Sequence, residues 1–269
     1  MLKNLLKLLL TVAVALGLVA CTDSKVEEKK VESKVIKVGA TPVPHSEILE
    51  IAQPLLKAKG YDLQIVEFTD YVTPNIAVDE GELDANFFQH EPYLIEFNKS
   101  KNTNLVKTVN VHLEPMGLYS NKLKNLSELE DGATIAVPND PTNESRALDI
   151  LEKKGLLTFN DVQFKTALDI KDNPRNLKIK ELDAPQLPRV LDEVDGAIIN
   201  TNYALAANLN PVKDALVIEP KDSPYANILV VKAGNENSEA IKALNEVLNS
   251  TEIKNFIAEK YEGSIVEAF

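Results

Sequence analysis

The chain has 269 residues, and 29 Lys and Arg against 41 Asp and Glu give it a formal net charge of −12 at pH 7. So acidic a balance argues against nucleic acid or an anionic membrane surface as its working partner. Its one cysteine, Cys21, excludes intramolecular disulfides and, once that thiol is modified, thiolate metal sites and cysteine nucleophiles as well.

The first 21 residues combine a basic start, with Lys3 and Lys7, with a short apolar run that ends in LVAC. This order is typical of a bacterial secretory signal, and the run is too short for a transmembrane helix. Because the cysteine stands at the expected cleavage site, we interpret LVAC as a lipobox, with residues 1–20 as signal peptide. The alternative is a chance cysteine in a discarded leader.

A lipidated Cys21 would be the first residue of the mature protein. Two or more acyl chains hold a protein durably on a membrane, so the sequence predicts an extracytoplasmic protein anchored to the bacterial cell membrane. The stretch that follows, residues 21–34, is polar, lacks aromatic residues and has no sustained apolar face. Such a composition is typical of a flexible tether.

From Val35 the chain alternates β-rich runs with helical patterns, as α/β proteins do. Strands are predicted over 35–40, 63–68, 83–88 and 105–111. Helices are predicted from about residue 48 to Gly60, from Thr73 to Gly81, and after Pro92. These elements predict one α/β unit that ends near residue 120.

A second unit is predicted from about Leu123, with strands over 134–137, 177–182 and 196–200 and a helical stretch over 187–191. Asp140 and Pro141 have the residue types of an N-cap and a first helical position, and Lys153, Lys154 and Gly155 those of a helix end. A last strand over 228–231 and two closing helices within 238–261 complete the pattern. We therefore predict a two-lobed α/β fold of the periplasmic binding protein type (type II-like), with a ligand cleft between lobe 1 (35–120 plus 226–269) and lobe 2 (121–225).

The motifs of common enzyme classes do not occur. None of the three histidines lies in an HExxH motif, and His112 and Glu114 have the wrong spacing for a helical metal pair. There is no GxSxG, no P-loop and no GxGxxG. We predict no enzyme, no metal and no cofactor, although a serine triad without a motif stays open as the enzyme alternative.

Polar and aromatic residues cluster where predicted strands pass into helices, which is where open α/β sheets bind ligands. In the first cluster, residues 86–93, Phe88 and His90 share one face of the strand and Tyr93 follows one turn later. These side chains could form the wall of an apolar pocket. The alternative is ordinary core aromatics with a hydrogen-bonded histidine.

The second cluster is residues 138–146, in which Asn143 and Arg146 lie on one face of the predicted helix. An arginine near a helix N-terminus suits a carboxylate, and the alternative is a solvated surface arginine. We expect Arg146→Ala to leave folding nearly unchanged, because a cleft arginine contributes little to a core.

The third cluster follows the strand over 196–200. The amide of Asn200 offers a donor and an acceptor, which suits the two charged groups of a zwitterion, and the alternative is a cap of the next helix. We interpret a fourth segment, residues 111–120, as a crossover between the lobes rather than as a contact surface.

Five segments, NFFQHEPYL, VHLEPMGLYS, AVPNDPTNESRAL, ELDAPQLPRVLDEVDGAIINTNYA and DSPYANILVV, together resemble the NlpA-type, methionine-binding lipoproteins of bacterial ABC importers. The resemblance spans nearly the whole mature chain in the same order, with Pro185 as one departure where alanine is expected. It implies a two-lobed solute-binding protein that holds methionine between its lobes. The partners it implies are a membrane permease and its cytoplasmic ATPase.

Matched motif by motif, the resemblance implies that Arg146 holds the ligand carboxylate and that Asn200 bonds the amino-acid head group. It implies a side-chain pocket lined by Tyr71, Phe88, His90 and Tyr93, which suits a thioether because sulfur packs well on aromatic rings. Asn143 and Asn202 complete the predicted ligand-binding set, and Arg189 receives less weight. Three alternatives stay open: another amino acid, a methionine-containing dipeptide, or a surface lipoprotein with an adhesive or structural role.

Overall fold

The structure is a computed structural model that describes residues 34–220 and 224–269. The predicted signal peptide, Cys21 and all of the predicted tether except Lys34 lie outside the described residues. No helix of the described part combines the length and the apolar character that a membrane crossing requires.

Strands and helices alternate through most of the chain, as predicted. The strands are β1 (Lys34–Ala40), β2 (Tyr61–Glu67), β3 (Ala85–His90), β4 (Leu105–Leu113), β5 (Gly117–Tyr119), β6 (Thr134–Pro138), β7 (Thr158–Phe159), β8 (Ile170–Asp172), β9 (Lys178–Leu182), β10 (Gly196–Ile199), β11 (Val217–Ile218), β12 (Ala226–Lys232) and β13 (Val266–Glu267). The helices are α1 (Glu47–Ala58), α2 (Thr73–Glu80), α3 (Glu91–Lys101), α4 (Pro141–Lys153), α5 (Thr201–Ala206), α6 (Pro211–Asp214), α7 (Glu239–Leu248) and α8 (Thr251–Tyr261).

The first sheet has six strands in the order β13-β4-β12-β3-β1-β2. β1 is parallel to β2 and β3, and β12 is antiparallel to β3 and β4. Along β12, Leu229 and Val231 pack with α1, α7 and α8, while Ile228 and Val230 pack with α2 and α3. Helices therefore cover both faces, which explains why the strand reads as a continuous apolar run.

The second sheet has five strands in the order β11-β5-β10-β6-β9, and β7 and β8 form a separate antiparallel ribbon. On β10, Ile198 packs with α4, while Ala197 and Ile199 pack with Leu187 and Leu191 on the other face. Each sheet is the centre of one lobe, so the predicted two-lobed α/β fold is confirmed.

The chain passes from the first sheet to the second after Leu113, the last residue of β4, and returns after Ile218, the last residue of β11. β5 already belongs to the second sheet, so this passage precedes the boundary expected after residue 120. Lys34 belongs to β1, where it is in register with Tyr61, rather than to the tether. The assignment of domain boundaries itself stays a prediction.

Three predicted elements differ from the structure for local reasons. β3 begins at Ala85 rather than residue 83, because the backbone N–H of Leu83 bonds the carbonyl of Ala77 in α2 and not a neighbouring strand. The helical stretch expected over 187–191 is a 3₁₀ helix, Ala184–Val190, in which two prolines lack the N–H of a regular α-helix. The strand at 228–231 is not the last, because β13 follows and pairs with β4.

Candidate functional site

One cavity lies between the two lobes. It is lined by residues at the ends of β3 and β4, on α4 and at the start of α5, so the carboxyl ends of strands surround it, as in other open α/β sheets. All eight predicted ligand-binding residues line it: Tyr71, Phe88, His90, Tyr93, Asn143, Arg146, Asn200 and Asn202. Four lining residues that the sequence did not single out join them, namely Gln89, Glu114, Thr201 and Asn227.

The aromatic side chains form one wall of the cavity. Ring centroids lie 5.7 Å apart for Tyr71 and Phe88, 5.9 Å for Tyr71 and Tyr93, and 6.1 Å for Phe88 and Tyr93. Phe88 and Tyr93 also belong to the hydrophobic cluster under α2 and α3. The same rings thus pack in the core on one side and line the cavity on the other, so the core alternative and the pocket hypothesis are compatible. The wall continues into the second lobe, since the Tyr71 hydroxyl donates to Asn202 Oδ1 at 2.6 Å.

His90 is held as a neutral hydrogen-bond donor. It is the N-cap of α3, where its Nδ1 accepts from the backbone N–H of Tyr93 at 3.1 Å. The proton is therefore on Nε2, which donates to Asn143 Oδ1 at 3.1 Å. Burial, reinforced by the nearby Arg146, lowers the pKa of His90 to about 3.

Asn143 and Asn200, both in the second lobe, are bonded to each other. Asn143 Oδ1 accepts from Asn200 Nδ2 at 3.0 Å, and Asn143 Nδ2 donates to the Asp140 carboxylate at 3.0 Å. Asn200 stands at the N-cap position of α5, but its side chain makes no capping bond, so the cap alternative is wrong. Its Oδ1 is buried and has no hydrogen-bond partner among the described residues.

Arg146 is buried, with 4% of its surface exposed, so the solvated-surface alternative is wrong. Its Nε donates to the Glu219 carboxylate at 3.0 and 3.1 Å, and its Nη2 donates to Glu219 and to the Glu114 carbonyl oxygen, the latter at 2.7 Å. The ring of Tyr225 lies 4.4 Å from the guanidinium carbon. Within residues 34–220 and 224–269, no acceptor engages Nη1.

This ion pair corrects the expectation that Arg146→Ala leaves folding nearly unchanged. Glu219 is itself only 5% exposed, and removing one member of a buried pair leaves the other charge uncompensated. Glu219 is not among the predicted site residues, although a lone acid directly after the apolar run 215–218 is a signal that the sequence contains.

Residues 111–120 form a crossover, as predicted, but they also contribute a contact surface, which was not predicted. The chain does cross between the sheets there, but the segment also reaches the cavity through Glu114. The Glu114 carboxylate accepts from His112 Nε2 at 2.7 Å and from the backbone N–H of Asn202 at 3.0 Å. Its Oε1 also lies 3.2 Å from His45 Nε2, whose hydrogen bond goes to Asn227 Oδ1 at 3.0 Å. Burial lowers the pKa of His45 to about 4 and that of His112 to about 3, and it raises the pKa of the Glu114 carboxyl.

His45, His112 and Glu114 bring three potential metal ligands within 4.8 Å of one another. Their geometry favours hydrogen bonds, because two ligands of a tetrahedral zinc lie roughly 3.3 Å apart and His112 Nε2 is 2.7 Å from Glu114 Oε1. A metal-bound imidazole also donates its other N–H to an acceptor, and in the described part of the chain His112 Nδ1 has none. The absence of a metal stays a prediction.

Asn227 and Gln89 connect the cavity to buried polar groups behind it. Asn227 Oδ1 lies 3.0 Å from His45 Nε2, and Gln89 Nε2 donates to Asn75 at 2.6 Å and to Asn86 at 2.8 Å. Both residues lie inside segments that carried the family resemblance. Only the fold shows that their side chains meet the cavity.

The model of the NlpA lipoprotein family matches residues 36–269. The chain belongs to the NlpA lipoprotein family. It is 46% identical over 241 residues to the methionine-binding lipoprotein MetQ of Bacillus subtilis, covering 87% of this chain and 88% of that protein. It is 41% identical over 260 residues to the D-methionine-binding lipoprotein MetQ of Escherichia coli, covering 95% and 94%.

A solved structure agrees with this assignment. The nutrient-binding protein of Burkholderia cenocepacia, bound to methionine, superposes with a TM-score of 0.85 at 46% identity, over 87% of this chain and all of that one. The resemblance inferred from the five motifs is thus confirmed.

Proposed function

We propose that this NlpA-family chain is the extracytoplasmic substrate-binding lipoprotein of an ABC importer, and that it carries methionine to the importer's permease. The observation that carries the proposal is the composition of the interlobe cavity. A buried arginine, a buried amide oxygen that no described residue bonds and a wall of aromatic rings face the same space. These match the carboxylate, the ammonium and the side chain of an apolar amino acid.

The ligand carboxylate would bond Arg146. Glu219, the Glu114 carbonyl and the Tyr225 ring fix the guanidinium in place, which leaves Nη1 as the nitrogen that no described residue engages. A charge-assisted bond to a carboxylate in a buried site is stronger than one between neutral groups. The anchored guanidinium also has little freedom to lose when the ligand arrives.

The ligand ammonium would donate to Asn200 Oδ1, the buried acceptor described above. Pairing would remove the cost of leaving that oxygen unsatisfied. The thioether would pack on Tyr71, Phe88 and Tyr93, since sulfur makes favourable contacts with aromatic rings.

The cellular setting follows from the sequence and the relatives. We infer that Cys21 carries the lipid anchor, that the protein acts outside the cytoplasm at the bacterial cell membrane, and that a permease and its ATPase receive the ligand. We also infer that it is a carrier and not an enzyme, because the polar groups at the cavity bond one another in neutral or paired states. Transport energy would then come from the ATPase.

The test is ligand identification followed by titration. The full lipoprotein, purified natively in detergent, should release methionine on denaturation, detected by mass spectrometry. After removal of that ligand, calorimetry should show binding of L- or D-methionine at one site and none of glutamate or lysine. A methionine-containing dipeptide tested in parallel separates the closest alternative, and a protein that binds no amino acid would favour the adhesive or structural role.

A further inference from the structure

Glu114 occupies an unusual place, since it is the first residue of the passage from β4 to β5 and therefore lies between the lobes. Only 6% of its surface is exposed. Its carboxylate bonds His112 of β4 in the first lobe and the backbone N–H of Asn202 in the second lobe. Its carbonyl oxygen bonds Arg146. Glu114 thus connects the two lobes and also holds Asn202 and Arg146, which line the cavity.

The hydrogen bonds around Glu114 suit a carboxylate. His112 Nε2 reaches Oε1 at 2.7 Å and the backbone N–H of Asn202 reaches Oε2 at 3.0 Å, so each oxygen has its own partner. The N–H of Asn202 is always a donor. An ionised carboxylate only accepts, so it suits these neighbours, whereas an amide would turn its own N–H₂ toward a donor.

The connections extend to the opposite wall of the cavity. Asn202, whose backbone Glu114 holds, accepts from the Tyr71 hydroxyl of the first lobe at 2.6 Å. Next to it, the Thr201 hydroxyl donates to the carbonyl of Pro115 at 2.5 Å. The start of α5 is therefore tied to the passage between the sheets at two successive residues, and the position of Asn202 against the aromatic wall depends on that passage.

We propose that Glu114 is a positioning residue that fixes Arg146 and Asn202 of the second lobe against the aromatic wall of the first. It would stabilise the arrangement of the lobes that retains the ligand. This inference rests on the proposed function, because it concerns retention of methionine in the same cavity. It depends both on the two acceptor oxygens and on the length of the side chain, which makes it testable by two substitutions at one position.

Glu114→Gln keeps the size of the side chain but has a single oxygen, so it cannot accept from both His112 and Asn202. Glu114→Asp keeps the charge but is one methylene shorter, so it cannot reach the same donors. If Glu114 positions the second lobe, both variants should bind methionine at least about tenfold more weakly, the scale of a lost buried hydrogen bond to a charged group. The loss should appear in koff, with kon within about twofold of wild type, as for other losses of close contacts.

The experiment is stopped-flow or surface-plasmon measurement of methionine association and dissociation for the full lipoprotein and both variants, with thermal melts in the absence of ligand. The matched control is Glu144→Gln. Glu144 is a similarly buried glutamate of α4 that accepts from the backbone N–H of Ala167 and is not among the residues lining the cavity. Its rates should stay near those of wild type.

Each outcome decides the proposal. Three results would overturn positioning by Glu114. These are slower association with unchanged dissociation in the variants, wild-type affinity in Glu114→Asp, and an affinity of Glu114→Gln within threefold of wild type. If Glu114→Gln fails to fold, Glu114→Asp decides by the same criteria. A wild-type protein that binds no methionine would contradict the proposed function instead, so the two failures are distinguishable.

Discussion

Arg146 is bonded on several sides by the protein before any ligand arrives. Its partners, Glu219 and the Glu114 carbonyl, lie 73 and 32 positions away in the chain. The sequence indicated its helix and its proximity to a ligand, because both follow from local spacing. It did not indicate the ion pair, since no local pattern reports a partner so distant.

Arg146→Ala should therefore have two effects. Removing one member of a buried charge pair costs about 2–5 kcal/mol, so we expect methionine affinity to fall roughly 30- to several-thousand-fold. The melting temperature of the ligand-free protein should fall too, because Glu219 loses its partner. Arg146→Lys should restore only part of the affinity and of the melting temperature, because lysine is a point charge that lacks the planar, forked guanidinium.

Titration calorimetry with methionine and thermal melts without ligand measure both effects of the Arg146 substitutions. The double variant Arg146→Met with Glu219→Leu is the control, since replacing a buried pair by apolar residues is often neutral for stability. It should fold and still not bind. An alanine variant that binds within threefold of wild type would remove Arg146 from the site.

Glu144 provides a prediction about pH. Burial, and then the neighbouring carboxylate of Glu181, raise its pKa from 4.5 to about 8. The folded protein thus binds a proton between these values that the unfolded chain releases, so this contribution to stability is present below pH 4.5 and is lost as pH rises through 8. Wild type should lose stability relative to Glu144→Gln over that window.

The comparison is made by thermal melts of both proteins at half-unit steps from pH 5 to pH 9. Contributions from the buried histidines cancel because both proteins contain them. The exposed Glu82→Gln should follow wild type at every pH. Parallel curves for wild type and Glu144→Gln would show that Glu144 takes up no proton on folding.

At the scale of elements, prediction succeeded where the signal is local. α4 begins at Pro141 with Asp140 as its N-cap, which accepts from the backbone N–H of Asn143 at 3.0 Å, as the sequence indicated. It failed for β7, β8 and β11, which have two or three residues each. So few residues cannot show the alternation of apolar and polar positions that indicates a strand. Glu114 was misjudged because a crossover has no pattern that tells a contact from a connection.

The aromatic wall, built from β3, α3 and the loop before α2, should determine selectivity for the ligand side chain. Leucine and norleucine lack the sulfur, and small changes in an apolar pocket are worth about 1–3 kcal/mol. We expect both to bind more weakly than methionine by that amount. Phe88→Leu should reduce the difference, because it removes one ring from the wall.

Competition titrations of methionine, leucine and norleucine against wild type and Phe88→Leu measure this selectivity. Ile95→Leu on α3 is the matched control, since Ile95 is 61% exposed and should change nothing. Equal affinity of wild type for methionine and glutamate would rule out the wall as the side-chain pocket.

At the scale of the whole molecule, the sequence predicted two α/β lobes because alternating strands and helices persist from residue 35 to the end. It placed the first passage between them too late, since β5 is three residues long and nothing local indicates which sheet it joins. Family membership then depended on five motifs in order rather than on any single one.

The anchor is a prediction for the whole chain. Cys21→Ser should abolish lipidation, so the exported protein should leave the membrane fraction while still binding methionine. Fractionation with metabolic labelling by a palmitate analogue measures both lipidation and location. Thr22→Ser is the control and should stay membrane-bound and labelled; a serine variant of Cys21 that stays in the membrane would contradict the lipobox.

The chain crosses between its sheets twice, and Arg146 holds a residue of each crossing, the carbonyl of Glu114 in the first and the carboxylate of Glu219 in the second. The two passages between the sheets therefore converge on one side chain. A rotation of one lobe against the other has to act through these two connections, so we expect it to displace the guanidinium that we propose binds the ligand carboxylate. Opening of the cleft and weakening of the carboxylate bond should then occur together.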